Sequence, residues 1–354
     1  MVLEGENWTN TSNIGHDQHD QVDMTYQTLL ICKAVAVSFT AILGIVINIT
    51  CLIVLRRMRE MNPVTRVFMT SMTVADLGTV VFIASPVIPS TILDRWPFGD
   101  AFCTLCSMFN VNFFFASFMC LLNVNLERFL AVSYPFAYPL LVTVNRARMT
   151  AVALWFCSIA FSVFCSYMPG REIYFSKTMH TCLTGPLNHD ETDIFGTAAF
   201  LLFVIIPFVT TLCLFLRLYL VARYHARQIA AQQTGHNTES RKAKAERKTF
   251  MTFFIMTMVL SIGYTPLVAS TVYENITRIS FPAYLVYLAE IMGFANCFMN
   301  AIIYYFRNSK FRREARKVLG VLIPLLNAGN EIESLTVGSS GGSTASSTQT
   351  VRHR

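Results

Sequence analysis

Long blocks of apolar residues, separated by polar connections, dominate the chain. A helix that spans the hydrocarbon core of a bilayer needs about 20 mostly apolar residues. Seven blocks reach that length, and they are Leu29–Leu55, Val64–Ile92, Ala101–Tyr134, Ala147–Met168, Ile194–Tyr224, Lys248–Val272 and Phe281–Phe306. Because lipid offers the backbone no hydrogen-bond partner, each block is predicted to form one helix. No internal repeat is evident, which disfavours transporters built from duplicated halves.

Composition supports a membrane protein and disfavours the soluble classes. Of the 354 residues, 53% are hydrophobic and only 14% are charged, whereas about 25% of the residues in a soluble domain are charged. A soluble enzyme, a nucleic-acid binder and a disordered regulator are therefore disfavoured. The predicted fold class is an all-α membrane protein with a bundle of seven spanning helices.

The distribution of Lys and Arg predicts the orientation. Most of the 28 basic residues lie in the connections after the first, third, fifth and seventh blocks, and such loops stay cytoplasmic. The N-terminal segment, 1–27, is then extracellular, and its sequons at Asn7 and Asn10 are predicted glycosylation sites. This segment has no apolar signal-peptide core, so the first helix is expected to act as an uncleaved signal anchor.

The segment after the seventh block divides into two parts. Residues 307–323 set Phe311, Val318 and Leu319 against six basic residues, which predicts an amphipathic helix on the anionic inner leaflet. Residues 324–354 are rich in Ser, Thr and Gly over much of their length and are predicted to be disordered. This tail suits receptor kinases and arrestin, and the alternative is an inert linker.

Few charged residues lie inside the blocks, and charged residues in spanning helices are usually functional. Four of them, Asp76, Glu127, Arg128 and Glu290, are candidates for a functional role. The chain also carries a series of short motifs, and these are Asn48, Val74-Ala75-Asp76-Leu77, Arg95-Trp96-Pro97-Phe98-Gly99-Asp100 before Cys103, Glu127-Arg128-Phe129, Tyr134-Pro135-Phe136, Trp155, Pro207, Tyr264-Thr265-Pro266 and Asn300-Ala301-Ile302-Ile303-Tyr304. The order and spacing of these motifs resemble those of a rhodopsin-like (class A) G-protein-coupled receptor. The resemblance covers about residues 28–320.

Several motifs depart from the pattern of that family. Asp-Arg-Tyr appears as Glu127-Arg128-Phe129, and the proline of Asn-Pro-x-x-Tyr is replaced by Ala301. Cys-Trp-x-Pro appears as Gly263-Tyr264-Thr265-Pro266, and a Tyr frequent in the fifth helix is Phe215. These changes concern the switching energetics rather than the fold.

The resemblance implies a plasma-membrane receptor that transduces an extracellular ligand to a heterotrimeric G protein. It implies neither an enzyme nor a nucleic-acid partner, and no cofactor except an allosteric sodium ion. Two alternatives stay open at this point. One is a multi-pass transporter or channel, and the other is a receptor-like protein that does not couple to G proteins.

Two buried structural sites follow from the resemblance. Cys103 and Cys182 are expected to form a disulfide between the third helix and the second outer loop, since both lie on the oxidising side. A sodium pocket is expected at the family's ion-coordinating positions, which are Asp76, Ser117, Asn296 and Asn300. Oxygen ligands of this kind suit a hard cation. The alternative is a protonated Asp76 bonded to Asn48 and Asn300.

The resemblance also implies an inner switch. Glu246 is expected to pair with Arg128 in the inactive receptor, beside Glu127, and Tyr304 belongs to the same switch. Arg128 and Phe136 are expected to contact the G protein. The alternative is that the three charges reach the membrane interface independently.

The ligand cavity is expected near the outer ends of the helices. Amine receptors place an Asp seven residues after the first outer cysteine, but here that residue is Asn110, which disfavours ordinary monoamines. Glu290 is an alternative acceptor for a cationic group, or else a structural partner of Lys33 or Arg95. The predicted wall consists of aromatic and apolar residues, and it includes Phe113, Phe114, Phe200, Phe203, Tyr264, Val268 and Phe294. A small polar or cationic molecule and a short peptide both remain open.

Overall fold

The structure is a computed structural model, and it describes residues 8–134, 136–187, 237–277, 279 and 281–320, with separate residues between 194 and 220. For residues 8–23 and for most of 237–250, only the backbone is described. All structural statements below concern these residues.

The described chain is a bundle of long helices with one small sheet. The elements are α1 (Trp8–Arg57), α2 (Pro63–Thr79), a π-helical turn (Val80–Ala84), α3 (Ser85–Leu93), α4 (Gly99–Ser133), α5 (Tyr138–Leu141), α6 (Val144–Tyr167), β1 (Arg171–Ser176), β2 (Thr181–Pro186), α7 (Asn237–Thr277) and α8 (Ala283–Arg307). A last helix, α9, covers residues 309–320. Every described residue between 194 and 220 is helical.

Polar caps and prolines begin several helices. The Asn62 side chain accepts a hydrogen bond from the backbone N–H of Val64, and Pro63 occupies the first turn of α2. The Thr143 side chain accepts one from Arg146 at the start of α6. Such caps satisfy N–H groups that have no partner inside the helix, and proline in the first turn sacrifices no internal bond.

The second spanning segment contains an irregular turn. α2 continues through the π-helical turn into α3, and Pro86 and Pro89 lie just beyond that turn. A proline has no N–H to donate to the preceding turn of a helix, so the regular hydrogen-bond pattern is interrupted at each proline. A π-helical turn is wider than an α-helical turn and holds one additional residue within the helix. The apolar pattern predicts one helix here and does not reveal this turn.

The two strands form an antiparallel hairpin at the end of the bundle that the charge pattern predicts to face outward, called the outer end below. Arg171 pairs with Pro186 and Ser176 pairs with Thr181. Residues 177–180 form the turn between them, and His180 has a left-handed backbone with φ 55°. The hairpin packs on α3, α4 and α6.

The apolar core is divided between the two ends. A large cluster of buried residues joins the inner halves of α1, α2, α4, α6, α7 and α8 with α9, and Leu55, Met72 and Phe253 are among its members. A smaller cluster joins the outer halves of α1, the second span and α8 around Val37 and Val80. Both clusters bind helices that are distant in sequence into one bundle.

Six helices of the described chain are long and apolar enough to cross a membrane. They match the predicted blocks other than the fifth, of which 14 of the 31 residues lie outside the described set. α1 begins at Trp8 rather than Leu29, and α7 begins at Asn237 rather than Lys248, so both extend beyond their apolar portions. The predicted short helix after the last span is confirmed as α9.

Candidate functional site

A disulfide connects the hairpin to the bundle. Cys103 in the first turns of α4 is bonded to Cys182 of β2, with Cα atoms 5.3 Å apart. The hydroxyl groups of Ser107 and Thr184 lie 2.7 Å apart beside it. The predicted pairing is confirmed, and Cys106 is a buried free thiol.

Asp76 lies at the centre of the bundle among hydrogen-bond donors. Its carboxylate accepts bonds from Ser117 Oγ at 2.7 Å and from Asn300 Nδ2 at 3.2 Å. These three side chains come from α2, α4 and α8, and all are buried. Asn48, the other partner considered for Asp76, instead donates from its Nδ2 to the carbonyl oxygens of Gly44 and Cys297.

A small cavity adjoins Asp76, with Ser117, Asn296 and Tyr264 in its wall. The cavity has room for about one water molecule or small ion. One carboxylate, one hydroxyl and an amide oxygen are hard ligands, so the residues fit a sodium ion. Asn296 Nδ2 also donates to the Leu260 carbonyl at 3.4 Å.

The close approach of Asn296 to α7 explains one departure from the family pattern. A Cβ atom at Gly263 would lie 2.4 Å from the Asn296 amide, so a cysteine there would displace it. Gly263 therefore allows α8 to place an amide against the backbone of α7.

Aromatic rings form the wall of the cavity. The Phe114 and Tyr264 ring centroids are 4.9 Å apart in an edge-to-face arrangement, and Phe118 lies 4.9 Å from Phe114. Phe113 covers Gly78, where a Cβ atom would lie 2.6 Å from the ring. Phe113 therefore packs α4 against α2 as well as lining the cavity.

The other predicted wall residues are more dispersed. Val268 packs against the large inner cluster, and Phe294 packs against the outer cluster around Val37. Asn110 is half-buried. Phe200 and Phe203 lie outside the described residues.

Glu290 forms a buried ion pair with Lys33 of α1. Lys33 Nζ lies 2.7 Å from Glu290 Oε2, and the side chains are 0% and 6% exposed. The ammonium also donates to the carbonyl oxygens of Met179 at 2.9 Å and Thr178 at 3.3 Å. It lies 4.4 Å from the centroid of the Tyr287 ring. Of the two structural partners suggested by the sequence, Lys33 is the one in contact.

His180 extends this cluster toward the surface. Its Nδ1 lies 3.2 Å from Lys33 Nζ, and its Nε2 lies 3.1 Å from Asp94 Oδ1. Burial and the Lys33 ammonium lower the pKa of His180, although Asp94 acts in the opposite direction. A neutral ring that accepts from Lys33 at Nδ1 and donates to Asp94 from Nε2 satisfies both contacts.

Arg128 is held in a buried network at the inner end. Its guanidinium donates to both oxygens of Glu127 and to Thr65 Oγ1. Glu127 also accepts from the hydroxyl groups of Tyr138 and Thr65. Burial and the Glu127 carboxylate raise the pKa of Tyr138 to about 12, so this hydroxyl stays protonated. Sequence analysis missed Thr65 and Tyr138.

The other switch residues surround this network. The Tyr304 hydroxyl accepts from Asn308 Nδ2 at 2.8 Å, and its ring lies 5.9 Å from Phe253 and 5.0 Å from Phe311. Phe136 is 94% exposed at the inner surface. The backbone of Glu246 belongs to α7, but its side chain lies outside the described residues.

A further buried hydrogen bond connects α4 to α7. Asn125 Nδ2 donates to Thr257 Oγ1 at 2.8 Å and to the Leu121 carbonyl at 3.1 Å. Asn125 is one turn before Arg128, and both partners are buried. Sequence analysis missed this contact, for which the signal was a second polar side chain near Arg128 in an apolar block.

Comparisons with known proteins agree with this architecture. A family model described as "7 transmembrane receptor (rhodopsin family)" matches residues 47–304. The chain is 28% identical over 291 residues to trace amine-associated receptor 9 of Mus musculus, covering 79% of this chain and 82% of the relative. It is 28% identical to the receptor of the same name from Homo sapiens, covering 76% and 78%. The crystal structure of squid rhodopsin superimposes with a TM-score of 0.72 at 15% identity, covering 85% of this chain and 87% of that one.

Proposed function

Because the chain belongs to the rhodopsin family of seven-transmembrane receptors, we propose that it lies in the plasma membrane with an extracellular N-terminus and transmits the binding of an outside ligand to its inner face. Members of the family are G-protein-coupled signalling receptors, and the relatives share that class. Family membership thus favours a receptor over a transporter or channel. The signal is a shift between a closed and an open bundle.

The inner end carries this proposal. Arg128 is buried within a hydrogen-bonded network, whereas Phe136 is 94% exposed. Opening of α7 away from α4 would uncover Arg128 for a helix of the G protein, and Phe136 would enter an apolar pocket of the same partner. Glu246 is proposed to hold the closed state by pairing with Arg128.

Nucleotide exchange on purified heterotrimers tests this function. Glu246→Ala should raise exchange without ligand by up to about fivefold, since an exposed ion pair contributes roughly 0.2–1 kcal/mol. Adding Arg128→Ala to that variant should abolish the gain, because a G-protein contact is lost. If no heterotrimer responds to either the wild type or Glu246→Ala, the coupling proposal is wrong.

A sodium ion is proposed at Asp76, with Ser117, Asn296 and Asn300 around it. Such an ion would neutralise a buried carboxylate that otherwise needs a proton. Asp76→Asn should remove any dependence of thermal stability on sodium relative to potassium. Persistence of that dependence in Asp76→Asn would leave the protonated carboxyl as the better description.

The inner surface is proposed to contact lipid and regulatory proteins. α9 buries Phe311, Ala315 and Val318 against the bundle, while Lys310 and Lys317 each expose 61% of their side chains. Basic side chains on the face of α9 that points away from the bundle suit contact with the anionic inner leaflet. Kinases and arrestin are proposed to act on the Ser- and Thr-rich tail, which lies outside the described residues.

A further inference from the structure

The surroundings of the Lys33 ammonium have the composition of an amine-binding site. Glu290 supplies a carboxylate at 2.7 Å, and the Tyr287 ring face lies 4.4 Å away. The turn of the outer hairpin adds two carbonyl oxygens, from Thr178 and Met179. A carboxylate, an aromatic face and carbonyl oxygens are the groups that recognise a ligand ammonium.

We propose that this cluster is the ligand-ammonium site of the receptor and that Lys33 occupies it in the closed state as an internal substitute. The inference rests on the receptor function proposed above and names the ligand class, a protonated primary amine. It places recognition on α8 and the hairpin turn, since the amine-receptor position on α4 is Asn110 here.

The number of acceptors selects a primary amine. Four acceptors surround Lys33 Nζ, namely Glu290 Oε2, the two turn carbonyls and His180 Nδ1. An ammonium with three N–H groups uses such a set well, whereas a quaternary ammonium has no N–H to donate. The ring of Tyr287 by itself would accept either.

The charge balance makes the site receptive once Lys33 leaves. Among the described residues Lys33 is the cation paired with Glu290, so its departure leaves that carboxylate without an ion-pair partner. The Asp94 side chain is 40% exposed, and Thr178 lies at the surface. The buried site is therefore in direct contact with residues that reach solvent. Lys33 lies near the outer end of the span Met24–Arg57, where its flexible stem allows the ammonium to move to the membrane surface.

The test uses the variant Lys33→Ala in the full chain and propylamine as the probe, because propylamine has the atoms that this substitution removes. Thermal denaturation in detergent measures whether propylamine stabilises the protein. The matched variant is Lys33→Ala/Glu290→Gln, in which the site has lost its carboxylate. Lys33→Ala should bind propylamine roughly tenfold or more tightly than the wild type, because the internal competitor is gone. The double variant, and Lys33→Ala with propanol or tetramethylammonium, should show no comparable stabilisation.

Three results would overturn the proposal: equal propylamine affinity in wild type and Lys33→Ala, undiminished affinity in the double variant, or stabilisation by tetramethylammonium as large as by propylamine. If Lys33→Ala does not fold, propylamine in the growth medium should restore its surface expression. Absence of rescue while the double variant is expressed would also reject the site. None of these measurements uses a G protein, so failure of the coupling proposal would be seen separately.

Discussion

Two buried ion pairs within the described part of the chain are assembled differently. At the outer end, Lys33 of α1 meets Glu290 of α8, so the pair joins the first and last spanning helices. At the inner end, Glu127 and Arg128 are neighbours within α4. A contact between helices stabilises only the arrangement that keeps them together, whereas a contact within one helix survives their separation.

This difference indicates where the bundle is fixed and where it is free to move. The outer end gains a second inter-element bond from His180 to Asp94 and a covalent one between Cys103 and Cys182. At the inner end, α4 and α7 are joined by apolar packing and by the hydrogen bond of Asn125 to Thr257, and no covalent bond among the described residues holds them there. We therefore expect outer-end substitutions to alter stability and inner-end substitutions to alter signalling.

The largest effect is expected from leaving Lys33 buried without its partner. Glu290→Ala should destabilise the receptor by about 3–5 kcal/mol, since removing one member of a buried pair leaves an uncompensated charge. Lys33→Met/Glu290→Gln, which removes both charges at similar volume, should recover most of that loss. Thermal denaturation in detergent measures both, and equal losses in the two variants would contradict the pairing.

The disulfide comes next. Cys103→Ser and Cys182→Ser should each cost about 2–5 kcal/mol, because the hairpin loses its covalent attachment to α4. Surface expression should fall to the same extent in the single and double variants, since all three lack the same bond. Cys106→Ser is the matched control, and normal expression of Cys103→Ser would show that the attachment is dispensable.

At the inner end, Thr257→Val should raise basal signalling. The change keeps the side-chain volume but removes the acceptor that Asn125 uses only when α7 lies against α4. A hydrogen bond worth about 0.5–1.5 kcal/mol corresponds to roughly a 2- to 12-fold shift. Thr252→Val, which loses a bond within α7, is the control. An increase in the control alone would reject this role for Asn125.

The smallest effect concerns pH at the outer end. His180 faces Lys33 of α1, Asp94 after α3 and Tyr287 of α8. Its pKa is lowered from 6.5 by burial and by Lys33, so the folded state favours the neutral ring. Its contribution to stability is therefore present above about pH 6.5 and is lost as the pH falls through and below that value. The melting temperature should decrease on acidification more in the wild type than in His180→Asn, and identical pH profiles would contradict this.

The sequence predicts the helices, the orientation and the motif positions because these depend on local properties. Apolar block length reports partition into lipid whatever the neighbouring helices are. The resemblance also grouped Asp76, Ser117 and Asn300, which come from three helices, but it grouped them as sodium ligands and did not predict the direct bond from Ser117 to Asp76. It did not predict that Asn296 would press against Gly263, since that contact depends on the distance between two backbones.

The pairing of charged and polar side chains was decided by tertiary structure. The sequence offered three alternative partners for Glu290, namely a cationic ligand, Lys33 or Arg95. It could not choose between them, since all three were expected near the outer surface. Only the packing of α1 beside α8, with the hairpin turn above them, brings Lys33 into contact and adds His180. A side-chain hydrogen bond or ion pair forms within about 3–4 Å, and hydrophobic patterning does not resolve distances that small between helices far apart in the chain.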